Sequence, residues 1–161
     1  MKVCKFEKIK DEDEMKQVIN CIQKEHPYVA VVPILAQLQE WLQAISISWF
    51  HEEDEVSHTT VNAIEAYCCT LANHLITDSH LNQEIKNRIL ECIKKIHILV
   101  EDKADLLIDK MIKAEVYGLS SDLFTYCLRQ QGLRAQTLDT GKLIQINLER
   151  KPDIPYIQES I

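Results

Sequence analysis

A chain of 161 residues has the length of one domain and can bury about 68–70% of the surface its unfolded form exposes, so it needs no disulfide or metal to fold. Its 25 acidic residues against 18 basic ones give a formal charge of -7, which repels a phosphate backbone and excludes nucleic acid as an expected partner. Apolar residues at 46% and charged residues at 27% argue against disorder and fibrous repeats, and only three glycines and four prolines favour long helices.

Residues 1–5 lead straight into a charged stretch with no apolar signal segment, and no apolar run is long enough to cross a bilayer. A soluble cytoplasmic protein without a membrane partner is the expectation. Six cysteines, Cys4, Cys21, Cys68, Cys69, Cys92 and Cys127, are spread over different elements and are expected as reduced, mostly buried thiols. A zinc reading through His74, His80 and a nearby cysteine fits no ligand spacing, so no metal is expected.

In chain order, residues 2–6 form a short extended segment, and the acidic run from Asp11 to Glu14 opens a helix that reaches about Glu25. Met15, Val18, Ile19 and Ile22 are its apolar stripe, and His26-Pro27 stops it. Residues 28–32 read as a strand covered on both faces, so strand, helix and strand make a βαβ unit with parallel strands. Leu35, Leu38, Trp41, Leu42 and Ile45 then predict a second helix, followed by a polar loop at 51–55.

The most regular patterns follow. Val61, Ile64, Cys68, Leu71 and Leu75 mark one helix, and Leu81, Ile85, Ile89, Cys92, Ile96 and Leu99 mark the next. The short polar link Thr77-Asp78-Ser79 supplies an N-cap and makes these helices antiparallel neighbours. A further helix is predicted over about 102–113. Gly118 breaks it, and Ser120 or Ser121 caps another that carries Leu123, Phe124, Cys127 and Leu128 and ends near Gly132. Residues 134–138 and 143–148 read as strands around Asp139-Thr140-Gly141, and Pro152 and Pro155 mark an irregular tail.

The stretch GLSSDLFTYCLRQQGLRAQTLDTGKLIQINLERKPDI at 118–154 resembles the aspartokinase segment that runs from a Gly-Glu motif through a helix and a strand to a Leu-Asp turn. The opening Met-Lys-Val-Cys-Lys-Phe is similar to that family's first strand, before its Lys-Phe-Gly-Gly-Thr-Ser loop, and Val29-Ala30-Val31-Val32 is similar to its second. The resemblance implies an α/β fold: an α-rich domain with a small, mainly parallel sheet flanked by helices, like the N-terminal half of an amino-acid-kinase domain. It makes residues 1–161 one domain with a helical layer at about 55–115. The family's activity is phosphorylation of the aspartate side chain with MgATP.

The motifs that carry this activity are altered. Lys5 and Phe6 stand where the family has its phosphate loop, but Glu7-Lys8-Ile9-Lys10 replaces the glycines that let backbone N–H groups approach phosphate. Pro33-Ile34 replaces a Ser-Ala turn, and Val116 and Tyr117 fall on the Gly-Glu motif, with Glu115 one small register step from the substrate-binding glutamate. The later strands that carry the nucleotide pocket and a catalytic aspartate lie beyond the half that is matched.

Each remaining candidate has a plainer alternative. Lys5 is a phosphate-binding remnant or a solvated lysine at a strand end; Glu115, Ser120 and Asp139 are substrate-side remnants, or, for the last two, a helix cap and an Asx turn. Trp41, Trp49 and Phe50 are the expected exposed anchors of any interface. The leading functional expectation is an aspartokinase-like binding or regulatory module without catalysis of its own, with no cofactor. The alternatives are a component of an aspartate kinase that uses MgATP, completed by another chain, or a helical interaction module. A homodimer, or a complex with a chain supplying the missing half, is expected because a half-domain leaves a sheet edge and an apolar face open.

Overall fold

A computed structural model describes residues 2–27, 29–51, 53–102 and 105–138. Strand β1 (Val3–Lys5) pairs in parallel with β2 (Val29–Val31), in the register Val3 to Val29, Cys4 to Ala30 and Lys5 to Val31. Helix α1 (Glu12–Glu25) crosses over between them, completing the expected βαβ unit. Asp11 caps α1 by accepting from the Glu14 N–H, and Glu12, Asp13 and Glu14 oppose the positive end of its dipole. His26 ends it in the left-handed region, at φ 45°, immediately before Pro27. The expectation of a strand covered on both faces is corrected. Cys4 and Ala30 turn inward, whereas Val3 and Val31 on the other face are about half exposed, because among the described residues the two short strands carry helices on one side only.

Four helices form the rest of the described chain: α2 (Ala36–Phe50), α3 (Asp54–Leu75), α4 (Ser79–Glu101) and α5 (Leu106–Gln130). Helix α2 packs on α3, α3 on α4 and α4 on α5, while α1, α2 and α3 each touch α5. The predicted stripes are the core, with Met15, Leu38, Leu42, Ile64, Cys68, Ile85, Ile89 and Ile96 all essentially inaccessible to solvent. Asp78 caps α4 through the Leu81 N–H. The turn before α4 is clamped from the far end of α5: the Gln130 side chain donates to Leu75 O at 2.9 Å and accepts from the N–H groups of Thr77 and Asp78.

Helix α5 corrects the sequence reading most. There is no break at Gly118 and no cap at Ser120 or Ser121; one helix of 25 residues runs through all three. Glycine in a helix interior costs only about 1 kcal/mol. Ile112, Val116, Leu119, Leu123 and Phe124 bury a continuous face on both sides of Gly118, and that outweighs the cost. Ser121 Oγ donates to Tyr117 O within the helix rather than capping it. Gly132, at φ 80°, follows the helix as expected. Residues 134–138 are not a strand. They lie along α5, where Arg129 Nε donates to Ala135 O at 2.9 Å and Thr137 Oγ1 donates to Asp122 Oδ1 at 2.7 Å. The predicted strand at 143–148, the Asp139 turn and the tail lie outside the described residues.

Trp49 is also corrected. It is buried in the core, 2% exposed, and donates its indole N–H to Asp102 O, while Trp41 packs edge-on against Tyr67 at 5.4 Å. Of the three aromatic anchors expected, Phe50 is the exposed one.

Candidate functional site

Ligands of open parallel sheets bind outside the carboxyl ends of the strands, so this is where a nucleotide or amino acid would have to sit. The chain closes that position itself. Beyond β1 the Phe6 N–H donates to Val31 O at 3.0 Å, and Ile9 then forms an isolated parallel bridge with Leu35. Both side chains are fully buried, and the Ala36 N–H at the start of α2 donates to Ile9 O at 2.9 Å. A free helix N-terminus is a ready anion site, but the first N–H of α2 is already taken by a backbone carbonyl. The start of α1 is filled too: besides the Asp11 cap, the Glu14 carboxylate accepts from the Lys10 N–H at 2.7 Å.

Lys5, Glu7 and Lys8 are exposed at this end of β1, and beside them an open groove is lined by Phe6, Lys8, Lys10, Glu14, Gln17 and Cys21. Its two amines face one carboxylate. Among the described residues the loop pairs through the Phe6 N–H with β2, through the Ile9 carbonyl with α2 and through the Lys10 N–H with Glu14, and it carries none of the glycines that let a backbone cradle close on phosphate.

The other residues singled out from sequence are not brought to one point. Glu115 lies on the side of α5 that faces α4, where Lys95 Nζ reaches its carboxylate at 3.5 Å and Cys92 Sγ its backbone carbonyl. Ser120, five positions on, falls well round the helix from Glu115. Tyr117 donates from its phenol to Gln39 Oε1 at 3.4 Å and is exposed on its other side. Asp139 is outside the described residues.

Ser120 is singular: its Oγ is buried and has no hydrogen-bond partner among the described residues. A buried hydroxyl without a partner costs roughly 1–3 kcal/mol. Ser120→Ala is therefore expected to raise the melting temperature by roughly 2–4 °C or more in a chain of this size. A fall in melting temperature would show that the hydroxyl has a partner after all.

Sequence reasoning missed two polar clusters. Asp109 is buried between α2 and α5, where Ser46 Oγ donates to one carboxylate oxygen and Lys113 Nζ lies 2.6 Å from the other. Burial opposes its charged form, but Lys113 and Ser46 outweigh that and hold the carboxyl below its ordinary value. The group is fully partnered, which makes it a pin between helices.

The second cluster joins α3 to α4. His58 and His97 are equidistant from the Thr77-Asp78 turn, a symmetry legible in the sequence once the two helices are read as an antiparallel pair. Their ring centres are 5.0 Å apart, their planes differ by 18°, and their Nδ1 atoms are 2.7 Å apart. Subtracting the two ring radii from the centre-to-centre distance leaves the nitrogen separation, so the rings meet edge to edge through one N–H···N bond rather than face to face. His97 Nε2 donates to Asn62 Oδ1 at 3.1 Å, which leaves its Nδ1 bare to accept from His58.

Burial and His58 hold the His97 imidazole below its ordinary value, against the pull of Glu65 and Glu101. The unfolded chain therefore takes up this proton more readily than the folded one. The pair's contribution to stability is present above about pH 6.5 and is lost as pH falls through the lower folded value. Melting curves are expected to shift downward as pH falls below about 6.5 by more in the wild type than in His97→Gln; equal shifts would remove the pair from the acid response.

Among the described residues no three His, Cys, Asp or Glu side chains are grouped to hold a metal ion. His74 pairs with Glu12 and His80 with Glu84, each on its own surface. Half the thiols are buried, as against the expected majority: Cys68, Cys92 and Cys127. Burial raises the pKa of all three, Cys92 and Cys127 to about 12, whereas Cys21 is exposed. Among the described residues no helix is long and apolar enough to cross a membrane. Comparison with protein-family models, with curated proteins and with solved structures finds no match to this chain.

Proposed function

We propose that this chain is a catalytically silent relative of the aspartokinases that acts as a binding or regulatory module. One observation carries the reading. The crevice outside the carboxyl ends of β1 and β2, where a kinase of this plan would take its phosphates, is occupied by Ile9 and Leu35 and stitched by the Ala36 to Ile9 hydrogen bond. The order β1-α1-β2 followed by a helical layer supports the resemblance, and the loss of the glycines after Lys5 agrees with the filled crevice.

Phosphoryl transfer depends almost wholly on positioning and on charge stabilisation, so a site that cannot admit the phosphates has no partial activity to fall back on. Calorimetric titration of the purified protein with MgATP and with aspartate is the test. The expected result is no binding tighter than about millimolar and no aspartate-dependent ATP consumption. Turnover that Lys5→Ala abolishes would overturn the proposal.

A further inference from the structure

The end of the helical array opposite the crevice carries a different surface. Ser46 on α2 bonds to Asp109 on α5, and Trp49 bonds to Asp102 just before α5, so the last turns of α2 run beside the first turns of α5. The helices are antiparallel, since Gln39, earlier in α2, meets Tyr117, later in α5. One turn outward from the Ser46 to Asp109 bond stand Phe50 and Leu106, with Ile47 about a third of a turn round α2 and Leu107 about a third of a turn further round α5. Leu106, Leu107 and Ile47 are 70%, 66% and 63% exposed, more than any large apolar side chain of the described residues except Ile98, which sits in the last turns of α4. Single exposed apolar residues are ordinary, but several together on one end mark a docking surface.

The surroundings say what docks there. Glu53, Asp54 and Glu55 open α3, and Glu101, Asp102 and Asp105 connect α4 to α5; all six are exposed, and none forms an ion pair with a described residue. We infer that this apolar surface with its acidic rim docks a basic amphipathic helix of a partner protein, apolar side chains seated on Ile47, Phe50, Leu106 and Leu107 and lysines or arginines turned to the rim. A second copy of this chain would bring two acidic rims together, and an anionic membrane would meet the same repulsion. The surface is a full α2 length away from the filled crevice, about 20 Å along the helix axis, and the inference does not rest on the aspartokinase resemblance.

The test uses the full chain and two labelled synthetic helices of about five turns, with leucine on one face and either lysine or glutamate on the other, followed by fluorescence anisotropy. The lysine helix is expected to bind and the glutamate helix not, with binding weakened by salt. Leu106→Ser with Leu107→Ser, both at exposed positions, is expected to weaken binding about tenfold or more while the melting temperature holds. Equal binding by that variant would mean that net charge alone attracts the probe and would overturn the inference. So would sedimentation showing a wild-type dimer that the same variant dissolves, because the occupant would then be a second copy.

Discussion

Trp49→Ala is expected to destabilise the fold by about 3–5 kcal/mol, lowering the melting temperature by roughly 10 °C or more. The indole is 2% exposed at the end of α2, and its N–H satisfies Asp102 O at the close of α4. Truncation removes both a large buried side chain and its hydrogen bond to Asp102, leaving a cavity that the neighbouring helices cannot fill without moving. Trp49→Phe should recover part of the packing but not the hydrogen bond, and so fall between the two. Thermal melts followed by circular dichroism check the order wild type, Phe, Ala. An Ala variant within 1 kcal/mol of wild type would put Trp49 on the surface, where the sequence reading had it.

That misplacement shows what a sequence pattern carries and what it leaves out. In α1, α3 and α4 a stripe of apolar residues recurs at three- and four-residue steps, so the helices and most of their buried residues could be read: Met15, Ile64, Ile85 and their neighbours are buried as expected, while Val56, Leu90 and Ile98 lie off the stripe and are exposed. In α2 the apolar residues go round the helix. Leu38, Leu42 and Ile45 face the core but Ile47 and Phe50 do not, and periodicity cannot say on which side of the boundary Trp49 falls. Helix α5 was hidden for a related reason, since Gly118 and the two serines are local stop signals and only packing against α1 to α4 overrides them.

The candidate site was legible as loss rather than as gain. Missing glycines after Lys5 pointed to a site without a phosphate cradle. That Ile9 and Leu35 would meet and fill the space is a long-range contact, which no local pattern encodes. Nor could spacing alone pair Ser46 with Asp109, or leave Ser120 without a partner in the middle of a helix. The two histidines form the intermediate case, because their meeting follows from the position of a single turn.

Ile9→Ala is expected to cost about 2–5 kcal/mol and roughly 5–20 °C in melting temperature, an unusual penalty for a residue in a short loop between a strand and a helix. Loop side chains are mostly exposed and tolerant, and its neighbours Glu7 and Lys8 are so here; Glu7→Gly with Lys8→Gly should stay within about 1 kcal/mol of wild type. Ile9 differs because its side chain is fully buried against the core and its backbone holds the first turn of α2. The contrast separates two accounts of the same loop. If it were a phosphate loop that had merely lost its glycines, Ile9 would be as replaceable as its neighbours, and the glycine pair would be the change that matters. With Ile9 as a plug the order reverses. The cavity left by alanine opens into the apolar core beside Leu35, and the first N–H of α2 stays bonded to the carbonyl of residue 9, so MgATP should bind the Ile9→Ala variant no better than the wild type. Calorimetry on the three proteins decides it: MgATP binding gained with Ile9→Ala would mean that the crevice beneath is still a nucleotide site, held shut by one side chain.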